Sequence, residues 1–406
     1  MEELFGRHVE ELRELGRIGD KHVRIAELVD RAAEELAPIE IEAYMNRQVN
    51  LKEQVRVMKK YGLLGLQVPE EYSGLGGDAA AIALAFERLG QLGMGLVTGM
   101  DVQLCLTEAI LARWGTDEQK KRYLVPEAKG DKLMSFCLTE PEHGSDPSSL
   151  QVSFDEVDGG FSISGEKYLI TNGSFADAFI VFARNKQRGI SAIIVDRDEK
   201  HVSVEMEIRE KPGLFTSNTT LLKFDGAFAP RENLIGSFGK GLSLAYTGLL
   251  SGRLGIAAGC VGAIEDCLNA ALSRSREREQ FGKQIGRHQL VQKRLATIEE
   301  QFETARLCVD RAAYWKAKYD ARPDDIGLRK SADHNVTLAK VIATNAAGKA
   351  ADNAMQLFGG FGYSIIGAPG RHYIDVRASR IYEGSNDVLE LKLASDLLGA
   401  GFEAYG

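Results

Sequence analysis

Apolar positions along the chain change their spacing twice. Up to about residue 130 they recur every three or four residues, as at Ile25, Leu28, Val29, Ala32 and Leu36, which is the period of an amphipathic helix. The pattern predicts an outer helix pair within 1–50 and further helices over 79–92 and 103–114. Pro69, Gly74 and Gly76 break the stretch before the first of these. Thr116, followed by Asp117 and Glu118, has the chemistry of a helix start. From about Leu133 the segments become short and alternating. Strands are predicted over 161–165, 178–183, 190–195, 202–208 and 219–224, with turns at Asp158-Gly159-Gly160 and Thr171-Asn172-Gly173. From Gly241 the helical period returns, with one stripe through Leu254, Ala257, Ala258, Val261, Ile264, Leu268 and Leu272 and further helices over 290–319 and 331–357. The expected fold is α+β in three domains: helices over 1–132, a β domain over 133–236 and a helical bundle over 237–406.

Length and composition narrow this only a little. The 406 residues suffice for two or three domains, and 44% hydrophobic with 27% charged residues is ordinary for a globular protein. A net charge of -8 argues against nucleic acid as a partner, so a polyanionic ligand needs a local basic site. Five cysteines, Cys105, Cys137, Cys260, Cys267 and Cys308, show no metal spacing and read as reduced thiols in a cytoplasmic setting. No apolar run is read as reaching membrane-spanning length, and the N-terminus reads as neither a secretory signal nor a transit peptide. His143, His288 and His372 fall near motifs but not at metal spacing.

Three motifs carry chemistry. Tyr382-Glu383-Gly384-Ser385-Asn386-Asp387 sets a lone carboxylate beside a glycine that lets a ligand approach the backbone. Gln356-Leu357-Phe358-Gly359-Gly360-Phe361-Gly362 offers bare N–H groups of the kind that cradle a nucleotide. Cys137-Leu138-Thr139-Glu140-Pro141-Glu142-His143-Gly144-Ser145-Asp146 is a polar turn leaving a strand. Taken together, in this order and spacing, they resemble the flavin-dependent acyl-CoA dehydrogenase family from about Val55 to the C-terminus.

The resemblance implies that family's fold: an N-terminal helical domain, a β-barrel-like middle and a C-terminal four-helix bundle. It implies FAD as cofactor, an acyl-CoA substrate, an electron-transfer flavoprotein as electron acceptor, and a homotetramer built as a dimer of dimers. By the same resemblance Thr139 and Thr171 contact the flavin, Ser145 lies near both cofactor and CoA arm, and Phe136, Leu138 and Leu169 stand at cofactor-contacting positions. Arg278 would bind the pyrophosphate of the FAD held by a neighbouring subunit, with Phe281, Gln289, Gln356, Gly359 and Gly360 on that same cofactor. Ser385 and Asp387 match FAD contacts. Thr98, Arg253 and Gly384 match substrate-side positions, although Arg253 reads equally as a buried structural ion pair.

Glu383 is the expected base. The α-proton of a thioester is weakly acidic, and a carboxylate can remove it when burial raises its pKa toward working pH. In the family the enolate oxygen is met by the base's own N–H and a flavin ribityl hydroxyl, while the β-hydrogen leaves as hydride. Some branches carry the base on the long helix, at the position of Gly252 here, which has no side chain to serve.

Two departures bear on specificity. Leu169 stands where the family has a large aromatic, and strand alternation would turn the neighbouring Tyr168 to the other face. Pro147-Ser148-Ser149 look like the glutaryl-CoA dehydrogenase branch, but its carboxylate-binding Arg is replaced by Val97, and Asp101 would repel a carboxylate if it faces the pocket. Straight, branched, cyclic and aromatic acyl chains stay open. So do a dicarboxylic group held by Arg88 and a fold-sharing flavin oxidase or monooxygenase.

Overall fold

The computed structural model describes residues 4–197, 200–402 and 404. Helices α1 (Leu4–Glu14) and α2 (Asp20–Met45) form the outer pair, with Phe5, Val9 and Leu12 packed on Ala26 and on Leu84 of the core. Helices α3 (Leu51–Lys60) and α4 (Ala79–Gly90) follow. Helix α5 (Met94–Trp114) begins earlier than its apolar period indicates. A π turn over Val102–Thr107 shifts the phase of its buried face, so the 3.6-residue pattern is broken in mid-helix. Thr116 caps α6 (117–128) reciprocally with Gln119: its hydroxyl accepts from the Gln119 N–H at 3.2 Å, and the Gln119 amide oxygen accepts from the Thr116 N–H at 3.0 Å.

The middle of the chain is one mixed sheet. Its strands are β1 (Met134–Cys137), β2 (Ser153–Val157), β3 (Gly160–Thr171), β4 (Ala178–Asn185), β5 (Gly189–Asp196), β6 (Val202–Glu207), β7 (Thr219–Pro230) and β8 (Leu234–Ile235). They run in the order β6-β7-β3-β2-β4-β5-β8, with β1 parallel to β4. The ladder does not close into a ring. Val202 and Val204 of β6 and Leu234 of β8, from its opposite ends, pack on the same core as Phe154, Phe179, Ile193 and Phe224, so the sheet wraps around that core. β4 and β5 are buried on both faces: Phe179, Val181, Ile193 and Val195 point into this core, while Ile180, Phe182, Ala192 and Ile194 pack on Tyr123, Leu124, Ile110 and Leu111 of the helical layer. β1, β2 and β8 escape the sequence pattern because β1 and β8 are short and β2 buries a single residue, Phe154.

Helices α7 (Gly241–Glu277), α8 (Gln289–Asp320) and α9 (Ile326–Phe358) make the long part of the C-terminal bundle, with α10 (Ala368–Ser379) and α11 (Asn386–Leu398) packed on them. The two helical regions do not have separate cores. α4 packs against both α7 and α8, and Phe86, Leu89, Val97 and Met100 share one cluster with Leu254, Val261, Ile298, Phe302 and Val336. Glycine permits that crossing: a Cβ at Gly90 would lie 2.1 Å from the carbonyl oxygen of Gly259, and one at Gly262 1.9 Å from that of Glu87.

The expectation of no membrane-length apolar run needs correction. Met94–Trp114 and Gly241–Glu277 are long and apolar enough to cross a bilayer, yet 89% of each apolar window is buried in the protein, as in core helices.

Candidate active site

Helix α10 ends at Ser379, and the chain turns before Ser385 caps α11 by accepting from the Val388 N–H at 3.4 Å. Glu383 sits in that turn with φ +57° and Gly384 with φ +90°. A left-handed backbone at a glutamate costs about 1–2 kcal/mol and needs neighbours to hold it. Two buried cations do so. Arg253 of α7 donates from Nε to the Glu383 carbonyl oxygen at 2.9 Å. Lys340 of α9 donates to the Gly384 carbonyl oxygen at 2.7 Å and to Asn386 Oδ1 at 2.9 Å. The Asn386 amide in turn donates to Thr344 Oγ1 at 2.9 Å.

The Glu383 side chain turns inward. The residue as a whole is half-buried, but Oε2 is shielded and has no hydrogen-bond partner. It lies over Gly252 of α7: a Cβ there would stand 2.7 Å from Oε2 and 2.9 Å from the carboxyl carbon. The space that a side chain at position 252 would take is thus filled by the Glu383 carboxyl. Burial pushes the Glu383 carboxyl up to about 7, and the charges of Arg253 and Lys340 partly offset that rise. Asp101 of α5, itself buried, aims its Oδ2 at the same point over Gly252, 3.0 Å away.

Replacing Lys340 by Met removes one of the charges that ease ionisation of Glu383. Its carboxyl pKa must rise, so the acid limb of kcat/KM moves to higher pH. Loss of a charge-assisted bond to the Gly384 carbonyl also lowers stability by about 2 kcal/mol. A pH–rate series and a denaturant titration read the two effects separately.

The middle domain links the Cys137–Asp146 segment to this turn. Lys167, fully buried, donates to the Leu138 carbonyl oxygen at 2.9 Å and to Glu140 Oε1 at 2.8 Å. Burial opposes ionisation of Glu140, but the Lys167 charge and hydrogen bond, with the Gln151 and Val152 N–H groups, hold its pKa below the usual range. That pair pins the loop on either side of Thr139, and the Thr139 carbonyl oxygen accepts from the Tyr168 N–H at 2.9 Å. Next to it Leu169 is 50% exposed at φ +57°, where the β3–β7 register shifts between Lys167 and Ile170. Strict alternation therefore does not apply, because Tyr168 and Leu169 lie in a bulge. Thr171 follows, its carbonyl oxygen accepting from Ser135 Oγ at 2.9 Å. Asn172 then donates to the Gly99 carbonyl oxygen at 2.8 Å, and the neighbouring Thr98 meets the Tyr382 hydroxyl at 3.2 Å. A continuous path thus runs from Thr139 to Glu383.

Other expected residues are placed differently. Phe136 packs at a tilt of 59° against Phe182, with ring centres 4.9 Å apart, and Leu138 is buried, so both side chains pack in the sheet–helix core. Ser145 and Asp387 are exposed. Arg253, besides holding Glu383, lies 3.9 Å from Asp333, which matches the structural ion-pair reading. Arg88 engages Asp30 at 2.6 Å.

The third group stands elsewhere. Arg278 follows the last residue of α7, and Phe281-Gly282 turn the hairpin of β9 (Glu279–Gln280) and β10 (Lys283–Gln284). Phe281 is 93% exposed at φ +52°, an unfavourable backbone and a bare ring. Phe281, Gln289 and Gln356 line one groove, beside Gly359 and Gly360, where an added Cβ would meet nothing within 4 Å. At 1.5 Å per residue, Arg278 is about 39 Å along α7 from Gly252, and Gln356 about 24 Å along α9 from Lys340.

Sequence reasoning missed Lys340, Lys167 and Asn172. Lys340 leaves a signal, as a cation on an otherwise buried helix face between Val336 and Thr344; Lys167 leaves none, since Gly165 and Leu169 on either side of it along the strand are not buried.

Comparison with known proteins covers nearly the whole chain. Residues 20–131, 135–227 and 239–398 match the N-terminal, middle and C-terminal domain models of acyl-CoA dehydrogenase. An acyl-CoA dehydrogenase of Bacillus subtilis is 36% identical over 349 residues, 85% of this chain and 89% of that protein. The solved structure of butyryl-CoA dehydrogenase from Megasphaera elsdenii superposes with a TM-score of 0.88 at 32% identity, covering 94% of this chain and 99% of that one. A chain solved in work on the electron transferring flavoprotein of Acidaminococcus fermentans gives the same TM-score and identity, covering 94% and 98%. The chain belongs to the acyl-CoA dehydrogenase family, whose cofactor is FAD.

Proposed function

We propose that the chain desaturates a saturated acyl-CoA between C2 and C3, with Glu383 as the base that takes the α-proton. The observation that carries this reading is the Glu383 carboxyl over Gly252, buried, without a hydrogen-bond partner at Oε2 and poised near neutral. A base of that kind is matched to a weakly acidic carbon. Arg253 and Lys340 grip the backbone carbonyls of Glu383 and Gly384 rather than the carboxylate, so they fix its position without consuming its lone pairs. In this reading the Glu383 N–H meets the thioester oxygen, and Gly384, where a Cβ would crowd Leu389 at 3.3 Å and Arg253 at 3.4 Å, keeps the turn closed behind it.

The residues present fit FAD: open glycine backbone at Gly359 and Gly360, an exposed aromatic at Phe281, and the Thr139–Thr171 edge linked to the Glu383 turn through Asn172, Gly99 and the Thr98–Tyr382 contact. Thr139, Thr171 and the 385–387 turn would hold its ring end. Bound there, FAD supplies the hydride acceptor for the β-hydrogen. Arg278, Phe281, Gln289 and Gln356 lie too far along their helices to reach that same cofactor. They would clasp the FAD of a second copy, so the site needs at least a dimer, and a homotetramer is the proposed assembly. Arg278→Gln should then lose FAD affinity by about 10-fold or more while each protomer stays folded, read by flavin titration of the apoprotein.

Electron-transfer flavoprotein is the proposed acceptor, supported by the Acidaminococcus fermentans match. A cytoplasmic location suits the five free cysteines. The test is anaerobic mixing of the holoenzyme with saturated acyl-CoA thioesters, butyryl-CoA first because of the Megasphaera elsdenii match. Bleaching of the oxidised flavin is expected. A flavin that stays oxidised with every thioester would remove the reading.

A further inference from the structure

Asp101 is an unexpected companion for the base. It lies on α5, is 3% exposed, and has one carboxyl oxygen, Oδ1, without a hydrogen-bond partner. Its other oxygen and Glu383 Oε2 stand 3.0 Å and 2.7 Å from one point above Gly252, which puts the two oxygens less than 6 Å apart. The groups around the pair are unevenly placed. Arg253 from α7 and Lys340 from α9 face Glu383, and Asp333 of α9 is paired with Lys392 of α11 at 2.5 Å and lies 3.9 Å from Arg253. Asp101 faces Glu383 itself, Cys105 one turn along α5 and the Tyr382 hydroxyl, while Lys316 of α8 acts on Cys105. No cation is placed against Asp101 among the described residues.

Two carboxylates this close in a buried space cannot both be charged without a large cost, and the one with cations beside it ionises first. We propose that Asp101 is the un-ionised partner of Glu383: the pair holds one proton in the resting enzyme, Asp101 keeps it, and Asp101 presents a neutral donor that positions the ionised base over Gly252. Burial and the Glu383 charge push the Asp101 carboxyl well above its ordinary range, outweighing a lowering by the Cys105 thiol, in line with that assignment. When Glu383 takes the substrate's α-proton the pair becomes neutral, so the step relieves the like-charge contact instead of deepening it. The same arrangement sets an anionic acyl terminus against a pair that already carries one negative charge. Asp101 is thus a positioning residue, and it selects against dicarboxylic thioesters.

The inference rests on Glu383 being the base, but its first test does not need turnover. Infrared difference spectra of the resting holoenzyme between wild type and Asp101→Asn should show an un-ionised carboxylic acid band at neutral pH, lost in the variant. In Glu383→Gln that band should disappear at lower pH than in wild type, because the neighbouring charge is gone. This second variant keeps the test decisive if Asp101→Asn fails to fold. In stopped flow with butyryl-CoA, Asp101→Leu should reduce flavin at least about 10-fold more slowly than Asp101→Asn, since only Asn retains a neutral donor. Absence of the band, or a leucine variant as fast as the asparagine one, overturns the proposal. A band present in an enzyme that no thioester reduces would leave the pair standing and remove the desaturation reading instead.

Discussion

Glu383→Gln is expected to keep its FAD and its fold and to reduce flavin with a saturated acyl-CoA at least about 10³-fold more slowly than wild type, the contribution of a well-placed general base. Glutamine has the same shape, and the carboxyl oxygen it replaces has no hydrogen-bond partner to lose. Arg253 and Lys340 grip backbone carbonyls, so the turn keeps its clasp. Stability should even improve at alkaline pH. The Glu383 carboxyl is raised from 4.5 to about 7 by burial. The folded state therefore binds more protons than the unfolded chain across that window, and wild-type stability falls as pH rises through it. The glutamine variant has no such loss, so its Tm should exceed wild type above neutrality and match it at low pH. A variant that reduces flavin at the wild-type rate would move the base elsewhere. One that loses FAD would mean the side chain supports the cofactor.

Legibility in the sequence followed the length of each signal. The long helices α7, α8 and α9 were plain because their apolar stripes run for many turns, and the 178–195 hairpin because both faces of β4 and β5 are buried. Helix α5 was half-read, since a π turn interrupts its period. The sharing of one core by the two helical regions was invisible, because it depends on glycines at 90 and 262 lying opposite partner backbone. At the site, Glu383 stood out as a carboxylate beside a glycine, but the residues that aim it did not. Lys340 is far from Glu383 in sequence and acts on a backbone oxygen, a contact no side-chain motif encodes. Leu169 was read on a regular pleat, and a bulge set by the β3–β7 register cannot be seen from β3 alone. Phe136 and Leu138 are legible by position in a motif, but the packing of their side chains, Phe136 against Phe182 and Leu138 in the sheet–helix cluster, depends on residues elsewhere in the chain.

Gly252→Ala should be the sharper probe, because it changes no polar group. Its helix loses nothing: alanine in a helix interior is favoured over glycine by about 0.5–1 kcal/mol. The added methyl, however, would fall 2.7 Å from Glu383 Oε2, 2.9 Å from the carboxyl carbon and 3.0 Å from Asp101 Oδ2. Contacts that short cannot persist. The Glu383 backbone is held by Arg253 and the carbonyl beside it by Lys340, so the carboxyl must swing while its attachment stays in place. A displacement near 1 Å at the reacting group costs about 10²-fold in rate. The expected result is kcat for flavin reduction down about 10²-fold, with Tm unchanged or raised and FAD still bound. Activity then falls with no loss of stability, which general damage to the fold cannot produce. An alanine variant as active as wild type would mean that the carboxyl does not work from above Gly252, and the assignment of that space to the base would fall with it.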